Sequence, residues 1–305
     1  MSLIAAFLRL VRWPNLVFIV LTQFLFYFCV YLSLYQHPLW YQLLWLVGAS
    51  VCIAAAGYII NDYFDLNIDQ INKPGKNVLN SRLSRRWAIV WHLSLSVAGI
   101  VATAVAVSRD RWYLVLANIA CVMLLWLYST SFKRKLLIGN ILISLLTAWS
   151  VLILFFAQVP LAAAFNNEDP LSVKFFRISF LYAGFAFLIS IIREAIKDME
   201  DVQGDEQYGC TTLPIYVGFR ATKIYISVWV IVLVAALVIL QLYVLQFGWY
   251  LAVGYSVVAV ILPLLYSLSQ LFKARTPEDY GRLSALTKWI MLAGILSMLF
   301  FRLYF

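Results

Sequence analysis

Residues 39–76 read LWYQLLWLVGASVCIAAAGYIINDYFDLNIDQINKPGK. An uncharged run from Leu39 to Ile60 is followed within nine residues by Asn61, Asp62, Asp65 and Asp69. About 20 apolar residues suffice to cross a bilayer as a helix, so the run predicts a membrane span. If the helix continues at 3.6 residues per turn, Asp62, Asp65 and Asp69 share one face, with Asn61 one turn before Asp65. Three carboxylates on one stripe repel each other unless a cation sits among them. At the end of a membrane segment such a cluster marks a candidate functional site; the alternative is a solvated acidic loop between two spans.

The rest of the chain extends the membrane reading. Of 305 residues, 64% are hydrophobic and only 12% charged, far from the composition of a soluble globular domain. The net charge of +9 comes from short basic clusters between apolar runs, where membrane topology explains them, so no nucleic-acid partner is expected. Cys29, Cys52, Cys121 and Cys210 lack paired spacing and predict neither disulfides nor a zinc site. The first apolar segment, preceded by Arg9 and Arg12, is too long for a signal peptide and reads as a span.

Nine spans are expected, at roughly 14–35, 39–60, 87–107, 112–131, 137–160, 175–197, 221–243, 248–271 and 285–304. Alternating their connections sorts 18 of the 23 Lys and Arg residues to the side of the N-terminus and 5 to the other. The positive-inside rule then puts the N-terminus and the polar loops in the cytoplasm, and an odd span count puts the C-terminus outside. Trp13, Trp40, Trp87, Trp112 and Trp249 suit interfacial belts. With no linker or soluble segment, residues 1–305 read as a single all-α membrane domain.

A second acidic cluster, REAIKDMEDVQGDEQYGCTTLP from Arg193, echoes the first. Glu194, Asp198, Asp201 and Asp205 recur at steps of four, three and four and form one stripe if the helix persists, with Gly204 and Gly209 as candidate terminators. The seven carboxylates of these two stripes are half of the 14 acidic residues. Carboxylate stripes beside Lys and Arg at one membrane face suit Mg²⁺, which prefers carboxylate and water oxygens and bridges to substrate phosphates. A diphosphate held there is activated as a leaving group. If the rest of that substrate is an allylic isoprenoid, an apolar and aromatic wall shields the resulting carbocation from water.

At these residues the chain resembles the UbiA superfamily of intramembrane prenyltransferases. Asn61-Asp62-Tyr63-Phe64-Asp65-Leu66-Asn67-Ile68-Asp69 matches its NDxxDxxxD motif. Glu194, Asp198, Asp201 and Asp205, followed by Gly209, Thr212, Leu213 and Pro214, match its second motif. Tyr128-Ser129 with Lys133, and Asn140, match lesser features. The resemblance covers nearly the whole chain. It implies nine transmembrane helices around a central cavity, Mg²⁺-diphosphate between the motifs, and prenyl transfer to a lipid or aromatic acceptor. Within the superfamily, Arg193, Lys197 and the spacing of Asp198, Asp201 and Asp205 look most like digeranylgeranylglyceryl phosphate synthase-type members, which alkylate a glycerol hydroxyl with a geranylgeranyl group. The chain departs from the Arg-Pro-x-x-Ser-Gly of many members, reading Lys76-Asn77-Val78-Leu79-Asn80-Ser81.

The expected metal and diphosphate ligands are Asn61, Asp65, Asp198 and Asp201, with Asp62, Asp69, Glu194 and Asp205 around them. Lys73, Lys76, Arg82, Lys133, Arg193 and Lys197 are candidates for a diphosphate or an acceptor phosphate, against a topology-setting role for each. Tyr128 is a candidate for orienting substrate or stabilising the cation, against an interfacial anchor. His37 and His92 have no partners in sequence. The rival readings are an aromatic acceptor, as in quinone or haem pathways, and a cation-coupled transporter. The transporter is disfavoured because relay carboxylates sit near the bilayer midplane, whereas both clusters here lie at one membrane edge.

Overall fold

The computed structural model describes residues 3–72, 79, 84–160 and 169–304. Among them, nine helices are long and apolar enough to cross a membrane. In chain order the elements are α1 (Leu3–Leu10), α2 (Trp13–Tyr35), α3 (Trp40–Asn72), α4 (Arg85–Ala106), α5 (Tyr113–Thr130), α6 (Ile138–Gln158), α7 (Pro170–Glu200), α8 (Val202–Gln207), α9 (Leu213–Leu245), α10 (Tyr250–Lys273) and α11 (Pro277–Tyr304). The span count and order match the sequence expectation.

The differences lie at helix ends. α3 runs 12 residues past the expected limit, so the first acidic cluster continues its helix and is not a loop. α9 begins at Leu213, but Gly218 (φ 83°) kinks it close to the expected start at 221. α11 starts at Pro277, where Thr276 and Asp279 form a reciprocal capping box over polar residues outside the apolar window. The small helix α1 has no counterpart in the expectation; Arg12 (φ 51°) turns the chain between it and α2.

Helix pairing follows the small residues. The inward face of α4 carries Ala88, His92, Ser96, Gly99, Ala102 and Thr103, which lets α4 pack closely on α3. A Cβ on Gly99 would come within 2.7 Å of Ile53 and 3.1 Å of the Ala49 carbonyl. His92 is buried there against the Ala56 carbonyl at 3.0 Å, a packing role. α9 and α10 cover α7 and α11 through Ile189, Ile196, Val230, Leu264 and Leu283, and most of α9 presents apolar side chains outward, as a lipid-facing helix does. An aromatic cluster of Phe26, Tyr27, Tyr31, Phe155, Phe175 and Tyr182 fills one end of the bundle. The opposite half encloses a central cavity of about 740 Å³. Of the nine spans, α2, α3, α5, α6, α7 and α11 line it; α4, α9 and α10 stand behind them.

Candidate functional site

The cavity follows single faces of two long helices. On α3 its lining runs Ser50, Ile53, Ala54, Gly57, Tyr58, Asn61, Asp62, Asp65, Ile68, Asp69 and Asn72, the one-face pattern of residues three and four apart. The same stripe is therefore apolar at one end and acidic at the other. On α7 the lining runs Ser190, Arg193, Glu194, Lys197 and Asp198, and continues through Asp201 and Asp205. Here the structure corrects the uninterrupted second stripe: α7 stops at Glu200, Asp201 leaves helical geometry (φ −96°, ψ 6°), and α8 resumes with Asp205. The break leaves all four carboxylates on the cavity. Gly209 (φ 68°) follows the end of α8, a conformation glycine adopts without Cβ strain.

The two acidic segments are joined directly. The Gly204 N–H donates to the Asn72 side-chain oxygen at 2.7 Å, tying α8 to the end of α3. A Cβ at Gly204 would come within 2.6 Å of that amide, so the close approach needs glycine. The turn after α5 is held to the segment before α9 by the Thr211 N–H and hydroxyl, which donate to the Arg134 carbonyl at 2.8 and 2.9 Å.

Each described carboxylate cluster carries its own cations. Arg12 binds Asp62 at 2.6 Å, and Lys133 pairs with Asp65, which also accepts from the Asn61 amide at 2.8 Å. Glu194 accepts from Arg193 at 2.9 Å and Lys197 at 3.3 Å. Asp198 accepts from a neutral group, the Asn140 amide, at 2.9 Å. Toward the far end of the cavity, the Gln23 amide donates to the Ser50 hydroxyl and the Ser150 carbonyl, both at 2.8 Å, just before the aromatic cluster begins. Trp149 is fixed in the wall by donating to Asn118 at 3.0 Å.

Residues 19–300, which carry both acidic segments and most of the cavity wall, match the profile of the UbiA prenyltransferase family. The chain belongs to that family. It is 33% identical over 255 residues to a digeranylgeranylglyceryl phosphate synthase of Methanopyrus kandleri, covering 83% of this chain and 84% of the relative. The apo structure of a UbiA homologue from Aeropyrum pernix K1 aligns with a TM-score of 0.65 at 19% identity, over 93% of this chain and 97% of that one. A UbiA homologue from Archaeoglobus fulgidus bound to DMAPP and Mg²⁺ aligns with a TM-score of 0.60 at 15% identity, over 96% and 98%. At those identities the likeness is one of fold. The expectation of an intramembrane prenyltransferase of the UbiA family holds.

For this family member, the cavity brings together Asn61, Asp62, Asp65, Asp69, Tyr128, Lys133, Arg193, Glu194, Lys197, Asp198, Asp201 and Asp205, every expected site residue among those described. Lys73, Lys76 and Arg82, and the Lys76-Asn77 departure, lie outside the described residues. Sequence reasoning missed Arg9, Arg12, Asn15, Asn72, Trp149 and Lys288, which also line it. Lys288 had one legible signal, a cation inside the last apolar run.

The donor set suits a hard divalent cation. Its oxygens are carboxylates and one amide, and the Asn61 side-chain oxygen is buried with no hydrogen-bond partner. Among the described residues no three His, Cys, Asp or Glu side chains form a ready metal cage. That fits Mg²⁺, which takes one or two carboxylates and completes its shell from water and phosphate oxygens. Burial, reinforced by the Asp205 charge, pushes the thiol of Cys210, also on the cavity, up to about 11.

Proposed function

We propose that this UbiA-family protein transfers a geranylgeranyl group from its diphosphate to the hydroxyl of a prenylglyceryl phosphate lipid. The observation that carries the reading is the course of α3 and α7: acidic stripes flank one end of a cavity whose deeper wall is mostly apolar and leads toward the aromatic cluster. An amphiphile with a diphosphate head and an isoprenoid tail matches that division. The names of relatives such as the Methanopyrus kandleri enzyme support the choice of acceptor.

Asn61, Asp65, Asp198 and Asp201 would hold the metal, with Asp62, Asp69, Glu194 and Asp205 supporting them. Mg²⁺, when bound there, supplies Lewis-acid neutralisation of the diphosphate charge. Lys133, Arg193 and Lys197 donate charge-assisted hydrogen bonds to oxygens of the diphosphate or of the acceptor phosphate, and Lys73, Lys76 and Arg82 are assigned the same role. Cleavage of the allylic C–O bond leaves its electron pair on the diphosphate and a delocalised cation on the prenyl carbon. Tyr128 and Trp149 present aromatic rings to that cation, and Ile143, Leu146 and Leu125 exclude water. The acceptor hydroxyl then forms the new C–O bond as its O–H bond breaks, and the proton passes to an oxygen of the released diphosphate.

Residues 1–305 act as one membrane domain, with the N-terminus and the acidic ends of the helices cytoplasmic and the C-terminus outside, among membrane lipids. The test is mass spectrometry of products from purified protein in lipid, given a mixture of prenyl diphosphates with both glyceryl phosphate ether and aromatic acceptors. The expected product is the geranylgeranyl ether of the glyceryl phosphate, formed with Mg²⁺, lost in EDTA and regained when Mg²⁺ is returned. A ring-alkylated aromatic as the sole product overturns the acceptor, and activity indifferent to EDTA overturns the metal.

A further inference from the structure

The cations of the cavity are unevenly matched. Arg12 and Lys133 each have a carboxylate, while Arg193 and Lys197 share Glu194. Lys288, on α11, has none within ion-pair distance among the described residues; its ammonium donates to the Asn15 side-chain oxygen at 2.6 Å and lies 5.3 Å from the Phe18 ring. A lysine near the end of a span ordinarily extends its ammonium outward to the interface. Lys288 turns inward instead, half-buried on the cavity wall, within electrostatic reach of Arg193, Lys197 and Arg12. Arg193 adds a buried Nε without an acceptor.

Arg12, Arg193, Lys197 and Lys288 therefore stand close together in a sheltered place, and the ion pairs with Asp62 and Glu194 leave Lys288 without a carboxylate of its own among the described residues. Holding like charges together away from bulk water is unfavourable unless an anion joins them. The complement is a dianion with several acceptor oxygens, the chemistry of a phosphate monoester. Phe18, Ile19 and Met291 line the cavity beside Lys288 and suit the apolar tail of the same molecule.

We propose that Lys288, positioned by Asn15 and joined by Arg193, is the anion subsite for the phosphate of the acceptor lipid, separate from the place of the donor diphosphate. The inference rests on the transferase reading above. It is tested in lipid nanodiscs with geranylgeranyl diphosphate as donor and either geranylgeranylglyceryl phosphate or its phosphate-free alcohol as acceptor. Lys288→Gln should raise KM for the phosphorylated acceptor about tenfold or more, the scale of one hydrogen bond to a charged group, and leave the donor KM unchanged. It should also erase the preference for the phosphorylated acceptor, which Lys288→Arg should keep. In EDTA without donor, geranylgeranylglyceryl phosphate should raise the thermal midpoint of the wild type and not of Lys288→Gln. An unchanged acceptor KM and midpoint gain in folded Lys288→Gln overturn the subsite, as does an effect confined to the donor KM. If Lys288→Gln does not fold, the wild type decides: a short-chain alkyl phosphate should compete with the acceptor, and competition with the donor alone overturns the subsite. A wild type that consumes no prenyl diphosphate overturns the transferase reading instead, while the EDTA binding measurement still reports on Lys288.

Discussion

Asp65 and Asp198 occupy corresponding places on the two acidic segments but sit in different surroundings. Asp65 is paired with Lys133, and both side chains are no more than 15% exposed. Asp198 has the Asn140 amide. Truncating Asp65 strands a buried ammonium, at a cost of about 3 kcal/mol or more, whereas truncating Asp198 removes a carboxylate without orphaning a cation. Asp198→Ala should therefore lower kcat at least about a hundredfold with little change in thermal midpoint. Asp65→Ala should lose both activity and stability, and adding Lys133→Met should recover stability but not activity. Turnover and thermal melts on the three variants check this; near-normal turnover in either single variant removes that residue from the proposed metal site.

At the scale of helices, the site depends on how closely α6 approaches the turn before it. A Cβ on Gly139, near the start of α6, would meet the Lys133 Cα at 2.9 Å and the Phe132 carbonyl at 3.1 Å, both backbone atoms. The 3₁₀ turn Phe132–Arg134 carries Lys133 toward Asp65. Gly139→Ala should cost about 1–3 kcal/mol by overpacking and, by displacing that turn, lower kcat more than a generic core substitution of equal cost. Comparison with Gly99→Ala, which crowds α3 and α4 away from the acidic ends, separates the two effects in the same kinetic and melting assays.

Across the whole molecule, asymmetry along the helix axes organises function. One end of the bundle is filled by the aromatic cluster; the other holds the cavity and its charges. By the positive-inside rule, the Lys and Arg distribution supports the proposed cytoplasmic placement of the charged end. A reporter fused after residue 305 should therefore be active only as an outside-type fusion, and one fused before residue 1 only as a cytoplasmic type. The reverse pattern at either end overturns the orientation.

The span count was legible because spanning a bilayer imposes length and apolarity on each segment separately, and both acidic stripes were legible because helical periodicity is local. Whether α3 continued through Asp69 or gave way to a loop was left open by the sequence, and the structure decides it for the helix. The break at Asp201, the Asn72–Gly204 tie and the division between six lining helices and three backing ones were not legible, since each depends on packing between segments distant in sequence. Lys288 shows the limit most clearly. In sequence it is a cation inside the last apolar run; only the approach of α11 to α2, with the Asn15 side-chain oxygen accepting its hydrogen bond, turns it into the cavity. Which residues are charged is written in the chain, but which charges face one another is decided by the fold, because electrostatic interactions act through space across helices.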